Sequence, residues 1–138
     1  MESERVFVDT SAFYALMDRS DKNHEEAADL WAQFLERDFY LHTSNYVIIE
    51  TLSLLQNRLG FDAASLWYRD VLSIAEVIWV DGSMHDLAHE LWLGLGRRKL
   101  SIVDCVSFVT MRHYKIEKAF AFDRHYDEQG FEIVGRAR

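Results

Sequence analysis

A chain of 138 residues is the size of one domain, and with 49% hydrophobic residues it can bury a core without disulfides or a structural metal. Its one cysteine, Cys105, excludes a disulfide framework and a cysteine zinc cluster. A formal net charge of -8 argues against a plain lysine and arginine surface for phosphates, but not against a site of carboxylates and divalent cations, which is acidic in sequence and cationic in use.

The N-terminal "MESERVFVD" carries charge with no long apolar stretch behind it, so no signal peptide is expected. Residues 5 to 8 then read as a buried strand that ends on Asp9. "AFYALMDR" has helical character, and "KNHEEAADLWAQFLER" is a stronger helix, with Ala27, Leu30, Trp31 and Phe34 at helical spacing. "FYLHTS" is a second strand. Ser44 is placed to cap the helix "NYVIIETLSLLQNRL", which Gly60 ends. Asp62 is expected to cap the next helix, "AASLWYRDVLSIA". "EVIWVD" is a third strand, and Asp81-Gly82-Ser83 turns into the helix "MHDLAHELWLGL". "SIVDCVSFVTMRHYK" is a further helix, "KAFAFD" a fourth strand and "FEIV" a short fifth. With no proline and six glycines the chain shows no linker, and no window approaches the ~20 apolar residues of a membrane span. A cytoplasmic, reducing setting is expected.

Short apolar strands alternating with helices predict an α/β fold: a single domain with a short parallel sheet of about five strands, covered by helices on both faces. Such sheets bind ligands beyond the carboxyl ends of their strands, at a topological switch point. Asp9 and Asp123 both stand at that end of a predicted strand.

Four of the 23 acidic residues stand apart from solvated faces. Asp9 and Asp123 serve either as strand-end caps or as ligands. Glu50 lies on the apolar stripe of its helix, with Val47 and Leu54; it either snorkels from the stripe's edge or is held by a partner. Asp104 follows Ser101 at capping-box spacing, which places a carboxylate in the first turn of a helix. Helices that follow parallel strands start near one rim, so these acids can converge without a local motif. Unpaired, they would raise one another's pKa. Hard oxygen ligands without soft partners suit Mg²⁺ or Mn²⁺.

"VFVDTSAFYAL", the glutamate of "NYVIIETL", "LSIVDCVSF" and "AFAFDRHYDEQGFEIV" resemble, in order and across essentially the whole chain, the signatures of PIN-domain ribonucleases. Among these the likeness is to VapC-type toxins of toxin–antitoxin modules. The resemblance implies a Mg²⁺- or Mn²⁺-dependent endoribonuclease for single-stranded RNA, forming a homodimer and silenced by a small antitoxin protein. Carried over by position, the acidic quartet is Asp9, Glu50, Asp104 and Asp123, all metal ligands. Ser11 and Ser101 match positions that support it by hydrogen bonding. The fourth acid is the least constant part of the pattern, and Asp127 is the alternative to Asp123.

The basic triplet Arg97, Arg98 and Lys99 precedes Ser101, which suits it to hold flanking phosphates of RNA; His125 is a further RNA contact. His85 and His89 share a helix face at zinc-like spacing but have no third ligand. Aspartyl-phosphate chemistry of the haloacid-dehalogenase kind wants a second aspartate where Ser11 stands. Receiver domains want adjacent acids on the first strand and a lysine on the last. The remaining alternative is a PIN-like module that binds RNA or protein without cutting.

Overall fold

A computed structural model of the chain describes residues 4–134. In chain order the elements are β1 (Glu4–Val8), α1 (Thr10–Met17), α2 (His24–Glu36), β2 (Phe39–Ser44), α3 (Asn45–Leu59), α4 (Phe61–Leu66), β3 (Glu76–Ile78), α5 (Gly82–Leu95), α6 (Ile102–Tyr114), β4 (Lys118–Phe120), α7 (His125–Glu128) and β5 (Glu132–Ile133).

The five strands form one all-parallel sheet in the order β3-β2-β1-β4-β5. The order reverses between β1 and β4, so the switch point lies between their carboxyl ends. Right-handed crossovers then place the helices of the first two connections on one face and α5 and α6 on the other. The centre of the sheet is dry: Val6, Phe7 and Val8 are fully buried, as are Ala119 and Phe120 of β4. A strand packed on both faces has no solvated side, which is why these stretches run apolar without alternating.

The predicted caps form. Ser44 accepts a hydrogen bond from the Val47 amide, Asp81 from the Met84 amide, and Ser101 from the Asp104 amide. Each satisfies an amide that the first helical turn leaves without a partner. Gly96, in the left-handed region at φ 54°, ends α5 and turns the basic triplet toward α6.

Four expectations change, the simplest being the third strand, which stops at Ile78 rather than running to Asp81. The helix expected over 63–75 is instead α4, a π turn over Trp67–Val71 and a 3₁₀ turn over Leu72–Ile74. Trp67 and Leu72 are both buried, five residues apart, and only the wider turn brings such positions to one side. Asp62 lies in the first turn of α4, which starts after Gly60, rather than capping it. The fourth strand stops at Phe120, so Asp123 lies in the loop beyond it, before the short helix α7.

Candidate active site

Asp9 leaves β1 at the switch point and caps α1, so the cap and the crevice residue are one side chain. It is 5% exposed. Its Oδ2 accepts from the Ser11 amide at 3.0 Å and the Ser11 hydroxyl at 2.7 Å; its Oδ1 accepts from the Tyr126 hydroxyl at 2.8 Å. The Ser11 hydroxyl in turn accepts from the Phe122 amide at 3.0 Å, and the Asp9 amide donates to the Phe120 carbonyl at 3.0 Å. Asp9 is thus tied to the chain leaving β4 as firmly as to its own helix.

The other three acids surround it. Asp104 is held by the predicted capping box: its Oδ2 accepts from the Ser101 amide at 3.0 Å, and its own amide donates to the Ser101 hydroxyl at 3.1 Å. Glu50 is half-buried one turn into α3, where the Thr10 hydroxyl favours its ionised form. Thr10 is itself fixed by the buried Thr51 hydroxyl, at 3.1 Å. Asp123 accepts from the His125 amide at 2.9 Å. Asp127, the alternative fourth acid, is exposed on α7.

Electrostatics links these groups. Burial pushes the Asp9 carboxyl up; its hydrogen bonds to Ser11 and Tyr126 oppose this, and the charge of Asp123 adds to it. Burial raises Glu50, and the charge of Asp9 adds to that. Asp104 is pushed up to about 6, first by burial and then by Asp9, with Asp123 contributing. Local hydrogen bonds account for none of these upward shifts. They arise first from burial of each carboxyl and then from the charge of acids carried on separate segments of the chain.

This has a consequence for stability. Asp104 holds its proton more tightly in the fold than in the unfolded chain, where it titrates near 3.8. Its ionisation therefore opposes folding: the penalty is absent below about 3.8, grows as pH rises, and is complete above about 6. Asp9 and Glu50 act in the same direction. Buried His42, whose pKa the fold lowers, acts in the opposite direction over the same range, so the measurement is the stability difference between wild type and Asp104→Asn in urea titrations in EDTA at pH 5 and at pH 7. Asp104→Asn should gain stability relative to wild type on going from pH 5 to pH 7; no such gain would mean that Asp104 does not carry the penalty.

The basic residues behave less uniformly. Arg98 and Lys99 are exposed beside the entry to α6. Arg97 is committed to an ion pair with Glu128 at 2.9 Å, and the same Glu128 oxygen lies 3.1 Å from Nδ1 of His125. Arg97 and His125 thus brace the loop that carries Asp123, in addition to the role expected for them at the rim. The pair is half-exposed and contributes little to stability. His85 meets the Tyr46 hydroxyl and His89 stacks on Trp92, so neither belongs to the acid group.

Sequence reasoning missed Tyr126 and Thr10. Thr10 sits between two residues already singled out. Tyr126 had one signal: a large aromatic in the polar run "DRHYDEQG", fully buried in the fold.

Among the described residues no three acid, histidine or cysteine side chains already stand at ligating separation. What fits a divalent cation is the chemistry of the donors: hard carboxylate oxygens, with Asp9 coupled electrostatically to each of the other three.

Beside the acids runs an apolar groove of about 580 Å³, whose lining includes Tyr46, Ile49, Leu52, Tyr68, Trp79 and Val103, with Glu50 on its wall. Trp79 is 70% exposed and Ile49 64%.

The chain matches the PIN domain model over residues 6–132. It is 36% identical over 132 residues to the 23S rRNA-specific endonuclease VapC20 of Mycobacterium tuberculosis, covering 94% of this chain and 97% of that protein. The crystal structure of M. tuberculosis VapC20, a sarcin-ricin loop cleaving toxin, superimposes with a TM-score of 0.84 at 34% identity, covering 94% of this chain and 98% of that one. DNA-bound VapBC from Salmonella typhimurium shares the fold at 13% identity, with a TM-score of 0.67 over 94% of this chain and 96% of that one.

Proposed function

The chain belongs to the PIN-domain family, and from that premise we propose that it is an endoribonuclease acting on unpaired RNA with Mg²⁺ or Mn²⁺, the toxin of a toxin–antitoxin pair. The observation that carries this is Asp9: a buried carboxylate at the switch point, coupled to Glu50, Asp104 and Asp123. The similarity to an rRNA endonuclease over nearly the full length supports the choice of RNA.

The residues divide the work. Asp9, Glu50, Asp104 and Asp123 would hold the cation. When bound, it supplies Lewis-acid stabilisation of charge on the phosphate and lowers the pKa of water. Ser11 fixes one oxygen of Asp9, and Ser101 fixes Asp104 at the mouth of α6. Arg98 and Lys99 offer exposed positive charge for flanking phosphates, and His125 lies at the rim near Asp123. Asp9 is itself buried, which strengthens the charge interactions it makes.

Partners follow from the same surface. A small antitoxin protein would lay apolar side chains in the groove lined by Ile49 and Trp79, in the helix-in-groove manner. An arginine of that partner would pair bidentately with the acids beyond Glu50. The chain is proposed to act as a homodimer, the commonest oligomer.

The test is cleavage of single-stranded RNA by the purified chain. Cutting should appear with Mn²⁺ and stop in EDTA. Co-expression with the adjacent open reading frame should silence it. Full cleavage in EDTA would refute the cation role. No cleavage with Mn²⁺ present, together with harmless expression of the chain alone, would make the protein a binding module.

A further inference from the structure

Tyr126 is fully buried on α7, a helix of four residues. Its ring packs edge-on against Phe108 at 5.1 Å and lies 6.3 Å from Phe131, so neighbours on α6 and beyond α7 fix where the phenol points. It points at Asp9, donating to Oδ1 at 2.8 Å across 117 residues of sequence. The fully buried Ser107 hydroxyl, one turn beyond Asp104, makes no hydrogen bond of good geometry, so Asp9 is the partner the phenol meets.

Carboxylate χ2 torsions have broad wells, so a lone aspartate does not present its oxygens in one orientation. Asp9 is held from both sides: Ser11 occupies Oδ2 and Tyr126 occupies Oδ1. Ser11 belongs to the same helix start as Asp9. Tyr126 belongs to the loop and helix that carry Asp123, so its hydroxyl ties Asp9 to the segment that carries the fourth acid.

We propose that Tyr126 is a positioning residue of the acid site, its buried hydroxyl setting the orientation in which Asp9 meets a divalent cation. The inference rests on the cation-dependent reading given above. It differs from a purely packing role, in which only the ring would matter. Outer partners of metal ligands commonly alter affinity by about 10–100-fold when removed.

The experiment is a calorimetric Mn²⁺ titration, without RNA, of the full-length wild type, Asp9→Asn and Tyr126→Phe, with melting of each in EDTA. Phenylalanine keeps the ring among Phe108 and Phe131, so Tyr126→Phe is expected to fold. The wild type should bind Mn²⁺ and Asp9→Asn should not. Tyr126→Phe should bind about 10–100-fold more weakly, and raising Mn²⁺ should restore part of its RNA cleavage. If wild type binds and Tyr126→Phe matches it within about twofold, the positioning role is overturned and the cation reading stands. If wild type binds no Mn²⁺, the cation reading fails and the positioning role fails with it.

Discussion

Asp9→Asn is expected to abolish RNA cleavage while the cation-free protein melts no lower than wild type. The substitution keeps size and leaves a carbonyl oxygen to accept from Ser11, so the cap on α1 survives. The new amide can donate to the Tyr126 oxygen, which reverses that bond rather than deleting it. What disappears is a buried negative charge whose pKa the fold pushes up, first by burial. Since the fold disfavours the ionised form, removing the charge at pH 7 offsets the weaker hydrogen bonding. Cleavage has no such compensation. Lewis-acid stabilisation is worth several kcal/mol, and at 1.36 kcal/mol per tenfold its loss costs at least ~10³-fold in rate. The check is single-turnover cleavage of labelled RNA beside thermal melts in EDTA. A fall of many degrees would mean that Asp9 is there for the fold.

Asp104→Asn separates two roles that one side chain performs. The capping box is real: both of its hydrogen bonds are present. Losing such a cap costs on the order of 1 kcal/mol, and asparagine retains the acceptor that Ser101 uses, so the cost should be smaller still. The charge favours the start of α6 by less than about 1 kcal/mol, and it is repelled by Asp9 and Asp123. Cleavage is therefore expected to fall by roughly two or more orders of magnitude in a protein that melts within a few degrees of wild type. Asp104→Glu is a useful companion, because it restores charge but moves it outward by one methylene. A folded Asp104→Asn protein with near-normal cleavage would return Asp104 to capping alone.

Much of the fold was legible because its signals are local. The buried run Val6 to Val8, the caps Ser44, Asp81 and Ser101, and the stop at Gly60 each depend on a few consecutive residues and a backbone hydrogen bond. The helix expected over 63–75 failed where local periodicity met a tertiary demand. Trp67 and Leu72 both had to face the core, and the chain widened its turn to do so.

The candidate acids divide along the same line. Residue type and position in the pattern singled out Asp9, Glu50, Asp104 and Asp123 from the sequence, because a carboxylate ending a strand, opening a helix or interrupting an apolar stripe is visible in a window of ten residues. Their convergence depends on the strand order β3-β2-β1-β4-β5, which sets the exit of β1 beside that of β4. No short window encodes that order; it emerges from how the helices cover both faces and which crossovers are right-handed. The same holds for Tyr126, whose hydroxyl finds Asp9 across 117 residues, and for Arg97, whose partner is Glu128. Residue identity dictates which side chains carry charge and where each local element starts. Packing brings them together, because proximity between distant segments is a property of the folded sheet and of no segment alone.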